Sequence, residues 1–137
     1  MAKALINIDY TIDFVAENGA LTCGVPGRNI EEEIASITKK FIENGDFVVF
    51  AVDLHKENDS FHPESKLFPP HNIEDTYGRN LYGKVANLYT EAVKNDKNVY
   101  WMDKTRYSAF AGTDLEIKLR ERQINELHLV GVCTDIC

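Results

Sequence analysis

The sequence predicts a doubly wound α/β fold, in which helices cover both faces of a mainly parallel sheet. Four short apolar runs alternate along the chain with segments whose apolar residues recur at helical spacing. The runs are continuously apolar, as strands are when both faces of a parallel sheet are covered. Their alternation with helices is typical of α/β domains.

The four predicted strands all end close to an ionisable side chain. The strands are residues 4–8, 47–52, 99–102 and 127–132. At or beyond their ends lie Asp9, then Asp53 and His55, then Lys104, and finally Cys133 and Cys137. Ligands of open α/β sheets bind beyond the carboxyl ends of the strands. We therefore expect these residues to share one active site at one edge of the sheet.

Three amphipathic helices are predicted between the strands. The first has four apolar residues on one face, namely Ile30, Ile34, Ile37 and Phe41. Asn29 is its expected N-cap, and Gly45 is expected to end it. The second helix has a similar stripe, formed by Val85, Leu88, Tyr89 and Ala92. Thr113 and Glu116 form a capping-box pattern that predicts a third, short helix.

Length and composition indicate one acidic domain over residues 1–137. Fifteen basic residues against 22 acidic ones give a formal charge of −7, which argues against nucleic acid as a partner. The apolar runs are too short to span a membrane. Three cysteines without an export signal favour the cytoplasm. Because the sequence stops at Cys137, just after the last predicted strand, we expect the functional protein to continue further.

Cys137 is the candidate nucleophile. A thiol attacks as its thiolate, and the pKa of an ordinary cysteine is about 8.5. Lys104 is the candidate cation that would favour the thiolate, and Asp9 is the candidate base. For Cys23 and Cys133 the expected role is that of a small buried hydrophobic residue.

Residues 54–82 predict a large functional loop, because they contain three of the four prolines and little periodicity. Asp53 and His55 at its start point to the same side of an extended strand. With His71 and one further donor from the loop, they could bind a divalent metal ion. The alternative is that these loop histidines are simply solvated. His128 lies within an apolar run and is expected to be a core or edge-strand residue.

Five segments together resemble the nicotinamidase branch of the isochorismatase-like cysteine hydrolases. They are residues 4–9 with 13–14, residues 53–55, residues 61–71, residues 101–104 with 107–110, and residues 131–137. The run His-Pro-Glu-Ser-Lys-Leu-Phe-Pro-Pro-His is especially similar to bacterial nicotinamidases. The resemblance implies an isochorismatase-like, Rossmann-like three-layer fold. It also implies hydrolysis of nicotinamide to nicotinate and ammonia, in the salvage of NAD.

The resemblance implies a catalytic triad of Asp9, Lys104 and Cys137. Asp9 would take the thiol proton and return it to the departing ammonia, while Lys104 would favour the thiolate. Cys137 would attack the carboxamide carbon and form a thioester. The backbone N–H groups of Cys133 and Cys137 would form an oxyanion hole, with a cis peptide bond between Val132 and Cys133.

A divalent metal ion is also implied, with zinc favoured and manganese or iron as alternatives. Its ligands would be Asp53, His55, Glu64 and His71, with His62 as the alternative to Glu64. The ion would anchor the pyridine nitrogen of the substrate. Aromatic side chains would enclose the flat ring, namely Phe14, Phe68 and Tyr107. For Phe14 alone, ordinary core packing is an equal interpretation.

Two other functions stay open from the sequence. One is an amidohydrolase of the same superfamily that acts on a different small carboxamide. The other is a non-catalytic binding protein on the same scaffold, which the joint presence of Asp9, Lys104 and Cys137 disfavours. The expected partners are the small-molecule substrate and further copies of the chain in a homo-oligomer.

Overall fold

The computed structural model describes residues 2–133 and 136–137, which are built around a four-stranded sheet. Its strands are β1 (Lys3–Ile8), β2 (Phe47–Asp53), β3 (Val99–Lys104) and β4 (Glu126–Gly131). Their spatial order is β3-β2-β1-β4, and every neighbouring pair is parallel. The predicted parallel α/β architecture is confirmed.

Five α-helices connect or flank these strands in the described residues. They are α1 (Ile12–Val15), α2 (Val25–Asn29), α3 (Glu31–Glu43), α4 (Gly83–Ala92) and α5 (Leu115–Glu121). The three predicted helices correspond to α3, α4 and α5, whereas α1 and α2 are too short to give a periodic signal. None of the helices in this part of the chain combines the length and apolarity that crossing a membrane requires.

The two faces of the sheet pack against different helices. On one face, Val48, Phe50 and Val52 of β2 belong to a core that includes residues of α3 and α4. On the other face, Phe47, Val49 and Ala51 belong to a second core that includes residues of α5. Since alternate residues of a strand point to opposite faces, β2 is apolar on both faces over residues 47–52, and all seven of its residues, including Asp53 at its end, are buried.

The predicted N-cap of α3 is wrong. Asn29 lies within α2, and Ile30 is the residue that precedes α3. Pro26 stands in the first turn of α2, where its fixed φ angle favours the start of a helix. The chain therefore begins its helical path earlier than the stripe of apolar residues suggests.

The predicted capping box at the third helix is also wrong. The helix begins at Leu115 after Asp114, and the carboxylate of Glu116 accepts a hydrogen bond from Arg120 Nε at 2.7 Å. The hydroxyl of Thr113 donates to the carbonyl of Ala109 at 2.5 Å. Thr113 also accepts from the N–H of Leu115 at 3.4 Å, but Glu116 turns to Arg120, so the reciprocal pair of a capping box does not form.

The segment between β2 and α4 is the predicted large loop. It contains two 3-10 turns, Pro63–Lys66 and Tyr77–Arg79, in otherwise irregular backbone. One isolated bridge, between Thr11 and Leu81, joins the loop to the segment after β1, and a second, between His55 and Ile73, joins two parts of the loop to each other. The loop consequently lies along the carboxyl edge of the sheet.

Candidate active site

The ends of three neighbouring strands bring together Asp9, Asp53 and Lys104. Asp9 follows β1, Asp53 ends β2 and Lys104 ends β3, where it pairs in register with Asp53. At most 1% of each residue is exposed. Lys104 Nζ lies 2.8 Å from Asp9 Oδ2 and also contacts Asp53 Oδ1. The structure thus places a buried ammonium group between two carboxylates.

Asp9 is held from both sides. Its Oδ1 accepts a hydrogen bond from the backbone N–H of Asp53 at 2.8 Å, while its Oδ2 faces Lys104. Its φ angle is +55°, in the left-handed region that aspartate and asparagine adopt more readily than most residues. This backbone conformation turns the carboxylate back over the end of the sheet.

The three ionisable groups of this cluster differ in the direction in which their surroundings shift their pKa values. Burial, with a contribution from Asp53, raises the pKa of Asp9 to about 6, although Lys104 acts in the opposite direction. Burial also opposes ionisation of Asp53, but His55 and Lys104 hold the pKa of Asp53 below its usual value. Burial would lower the pKa of Lys104, but the two carboxylates raise it. Asp9 is therefore the member that can exchange a proton near neutral pH.

The thiol of Cys137 lies beside these carboxylates. Its sulfur lies within 4.8 Å of a carboxylate oxygen of Asp9 and of Asp53. Burial and the charge of Asp9 raise the pKa of Cys137, and Lys104 does not outweigh them. Lys104 does lower the pKa of Cys137, as expected, but its charge is paired with two carboxylates, and burial and Asp9 have the larger effect. Cys137 is therefore held in its thiol form, close to the carboxylate of Asp9.

The backbone around Cys133 differs from what the resemblance implies. Among residues 2–133 and 136–137 all peptide bonds are trans, so the expected cis bond between Val132 and Cys133 is wrong. The chain turns here through the φ angle of +59° at Cys133. The N–H of Cys137 donates to the carbonyl of Cys133 at 3.0 Å. The oxyanion hole stays a prediction, and Thr134 and Asp135 of this motif lie outside the described residues.

A second cluster lies next to the first and shares Asp53 with it. Its members are Asp53, His55, Glu64 and His71, all of which are buried. Each offers one nitrogen or oxygen atom, and these four atoms lie within 4.8 Å of one another. Asp53 ends β2, and the other three residues lie in the large loop.

The donor atoms of this cluster fit a divalent metal ion. His71 Nδ1 lies 2.7 Å from the carbonyl of Pro69 and donates to it, so the lone pair of Nε2 faces Glu64 Oε2, 3.1 Å away. Three further buried atoms have no hydrogen-bond partner within the described part of the chain, namely Asp53 Oδ2, His55 Nε2 and Glu64 Oε1. Converging nitrogen and oxygen lone pairs without donors are what zinc and related ions require.

The electric field in this cluster favours positive charge. Burial would lower the pKa of His71, but the carboxylate of Glu64 and the carbonyl of Pro69 raise it above its usual value. A cation placed among these four side chains would meet the same attraction. The metal-ligand set predicted from the resemblance is thus brought together in space.

The three predicted aromatic residues lie close to members of the two clusters. The ring of Phe14 lies 5.2 Å from that of His71, and the ring of Phe68 lies 6.3 Å from it. Partial burial and the proximity of Glu64 and Cys137 raise the pKa of Tyr107. Phe14 also belongs to the hydrophobic core that includes residues of α3, so it packs in the core as well as against His71.

Arg79 is a site residue that the sequence analysis missed. Its Nε donates to the carbonyl of Asp53 at 2.6 Å, and its Nη2 donates to the carbonyl of Val52 at 3.2 Å. The same guanidinium pairs with Asp103 and lies 5.6 Å from the ring centroid of Trp101. Arg79 therefore fixes the end of β2 from its carbonyl side, whereas Asp9 fixes the same residue from its N–H side.

Replacing Arg79 with methionine is expected to lower the free energy of unfolding by about 2–3 kcal/mol, because two strand-end carbonyls lose the Arg79 donor and Asp103 loses its ion pair, keeping only the hydrogen bond from Trp101 Nε1. Urea denaturation measures this change. Asp103→Asn is the matched control, since it removes the ion pair but keeps the carbonyl contacts, and about 1 kcal/mol or less is expected. Equal losses in the two variants would show that the carbonyl contacts contribute little.

Asn72 is a second missed residue, and it links the two histidines of the metal-ligand cluster. It is fully buried, with a φ angle of +46°. Its N–H donates to Asp13 Oδ2 at 2.7 Å, and its carbonyl accepts from the N–H of His55 at 3.1 Å. Its neighbour in the chain is His71. Asn72 therefore holds the part of the loop that carries His71 against the part that carries His55.

Residues 3–137 match the Isochorismatase domain family. The chain is 68% identical over 137 residues to the isochorismatase family protein PncA of Bacillus subtilis, covering 100% of this chain and 74% of that protein. The crystal structure of nicotinamidase/pyrazinamidase PncA from Bacillus subtilis has a TM-score of 0.96 and 69% identity, over 100% of this chain and 74% of that one.

Two further proteins are similar to this chain at lower identity. The pyrazinamidase of Pyrococcus horikoshii, solved in complex with zinc, has a TM-score of 0.82 and 28% identity, over 100% of this chain and 74% of that one. A probable inactive nicotinamidase of Arabidopsis thaliana is 31% identical over 136 residues, which cover 98% of this chain and 67% of that protein. By sequence and by fold, the chain belongs to the isochorismatase family of hydrolases.

Proposed function

We propose that this protein hydrolyses the carboxamide of nicotinamide to nicotinate and ammonia, through a thioester on Cys137. The observation that carries the proposal is the arrangement of thiol, base and ammonium group beside four metal-donor side chains. Asp53 belongs to both clusters, so a ring held at the second would present its substituent to Cys137. The names of the relatives in Bacillus subtilis and Pyrococcus horikoshii support amide hydrolysis.

The first half of the proposed reaction forms the thioester. Asp9 accepts the S–H proton while the sulfur of Cys137 attacks the carboxamide carbon, which gives a tetrahedral intermediate. Asp9 then returns the proton to the amide nitrogen, the C–N bond breaks, and ammonia leaves. With its pKa at about 6, Asp9 is a carboxylate at neutral pH and can still donate the proton back.

The second half releases nicotinate. A water molecule attacks the thioester carbon while Asp9 accepts its proton, and the C–S bond then breaks. Asp9 passes that proton to the sulfur, so Cys137 returns to its thiol form. Lys104 stays protonated throughout and compensates the charge that moves between Asp9 and the sulfur.

The metal ion is proposed to be held by Asp53, His55, Glu64 and His71. When bound, it would supply a Lewis acid for the pyridine nitrogen of the substrate. Zinc suits two imidazoles with two carboxylates, and the zinc complex of the Pyrococcus horikoshii relative supports it. Manganese or iron are accepted by the same kind of donor set. Phe14, Phe68 and Tyr107 are proposed to enclose the ring.

With this reaction, the protein is proposed to act in the salvage of NAD in the cytoplasm. Residues 1–137 are proposed to belong to one hydrolase domain. Ammonia release from a panel of small carboxamides that includes nicotinamide tests the substrate directly. Release from nicotinamide by metal-loaded protein is the expected result. Release only from another carboxamide would support the superfamily alternative, and release from none would count for a binding protein.

Loss of the metal ion is expected to weaken nicotinamide binding by about tenfold or more, because the pyridine nitrogen loses its electrophilic partner. His55→Ala removes one ligand, and dialysis against a chelator removes the ion itself. Isothermal titration with nicotinamide measures both effects. His128→Ala, on the edge strand β4, is the control and should bind normally. Equal affinity with and without a stoichiometric divalent ion would contradict this role.

A further inference from the structure

We propose that His62 is a positioning residue that presents Glu64 to the metal ion, and that it is not a ligand. The inference rests on the proposed function, since it assumes the metal centre described above. Both residues lie in the large loop, and from the sequence alone either of them could be the fourth metal ligand. At 6% and 4% exposed, respectively, both are buried.

Both ring nitrogens of His62 already have partners. Nδ1 accepts a hydrogen bond from the backbone N–H of Glu64 at 3.1 Å. Nε2 must then carry the ring proton, and it donates to the carbonyl of Thr105 at 2.6 Å. A neutral imidazole has one nitrogen lone pair in the ring plane, and a metal ligand needs that lone pair. In His62 the N–H of Glu64 occupies it.

The hydrogen bond to Glu64 shapes the 3-10 turn that carries this carboxylate. His62 is the N-cap of the turn Pro63–Lys66. Its carbonyl accepts from the Ser65 hydroxyl at 2.8 Å and from the Ser65 N–H at 3.1 Å. The backbone of Glu64 is thereby fixed on both sides by one residue.

The fixed turn directs the carboxylate of Glu64 at the two histidines. Glu64 Oε2 lies 3.1 Å from His71 Nε2 and 3.7 Å from His55 Nε2. The ring of His62 also packs against that of His55, with 4.5 Å between the centroids. One side chain therefore sets the direction of one proposed ligand and supports the ring of another.

The other nitrogen of His62 joins this turn to the catalytic edge. Thr105 directly follows Lys104 at the end of β3. The rigid imidazole ring thus spans from the Glu64 turn to the strand end that supplies the buried ammonium group. A side chain lacking this second contact would leave the turn attached to the sheet less firmly.

Three substitutions separate these contacts. His62→Asn keeps an acceptor at the position of Nδ1, and asparagine is a favoured N-cap residue, but it does not reach Thr105. His62→Gln reaches toward Thr105 and loses the contact with Glu64. His62→Ala loses both contacts. Glu64→Gln, which alters the proposed ligand itself, is the matched control.

The probe is Co²⁺ titrated into chelator-treated protein, with the visible absorption spectrum giving both affinity and ligand set. We expect His62→Ala and His62→Gln to weaken Co²⁺ binding by about 10- to 100-fold. His62→Asn should retain most of the affinity. Band positions should match wild type in all three, because the ligand atoms are unchanged, whereas Glu64→Gln should shift them.

Two results would overturn the proposal for His62 while wild type binds Co²⁺. Shifted bands in His62→Asn, with an affinity as low as that of His62→Ala, would make His62 a ligand. Wild-type affinity in all three variants would show that its contacts do not position Glu64. If wild-type protein binds no Co²⁺, the proposed metal centre fails, and the positioning role fails with it.

Discussion

Replacing Cys137 with alanine is expected to abolish nicotinamide hydrolysis, with turnover falling by about four to six orders of magnitude, as removal of a nucleophile does in other acyl-transfer enzymes. The physical reason is that the thioester cannot form without the sulfur atom that lies beside Asp9. Nicotinamide binding should be largely retained, because the proposed ring contacts come from the metal centre and the aromatic residues.

Two measurements make the test of Cys137 selective. Cys23→Ala removes a different half-buried cysteine and should keep turnover. An electrophilic nicotinamide analogue should attach covalently to Cys137 in wild type, as seen by mass spectrometry, and should leave Cys137→Ala unmodified. Appreciable turnover by Cys137→Ala would exclude the thioester mechanism. Binding of nicotinamide by wild type without adduct or turnover would favour the non-catalytic alternative.

The fold was accessible from the sequence because the pattern of apolar residues, continuous in the strands and periodic in the longer helices, is its strongest signal. Every residue of β2 is buried between two helical layers, and a continuous apolar run reports that directly. The helix caps could not be predicted from local patterns. Asn29 belongs to a different helix, α2, and the carboxylate of Glu116 is paired with Arg120. Short helices such as α1, with four residues, contain too little sequence for periodicity to appear.

The candidate site was accessible where the topology of the sheet determines it. Parallel strands end at one edge, so Asp9, Asp53 and Lys104 were expected to meet there. The loop contacts were not accessible, because they join distant residues: 26 positions separate Arg79 from Asp53, and 43 separate His62 from Thr105. No local pattern reports a hydrogen bond to a backbone carbonyl on another element.

The charge state of the thiol could not be predicted for a similar reason. A lysine near a cysteine ordinarily favours the thiolate. Here Lys104 contacts two carboxylates, so its field at Cys137 is largely compensated. Only the three-dimensional arrangement shows that the cluster of two carboxylates and one ammonium group carries a net negative charge.

This arrangement makes Lys104 the residue whose loss should damage the folded state most. Lys104→Met leaves Asp9 and Asp53 buried with no compensating charge. Removing one partner of a buried ion pair typically costs about 3–5 kcal/mol, so we expect a loss of that size in the free energy of unfolding. Urea denaturation measures this loss of stability. A chelator is included so that no divalent ion compensates the charge of Asp53. Nicotinamide hydrolysis should be lost as well.

The matched control is Lys39→Met, which removes an exposed lysine paired with Glu43 on α3 at 3.9 Å. Its effect should stay within about 0.5 kcal/mol. Adding Asp9→Asn to Lys104→Met removes one uncompensated charge, and asparagine tolerates the left-handed backbone at this position. The double variant should therefore recover part of the lost stability while staying inactive, because it has no base. If Lys104→Met costs no more than Lys39→Met, the charges of Asp9 and Asp53 do not depend on Lys104, and the electrostatic role assigned to it is wrong.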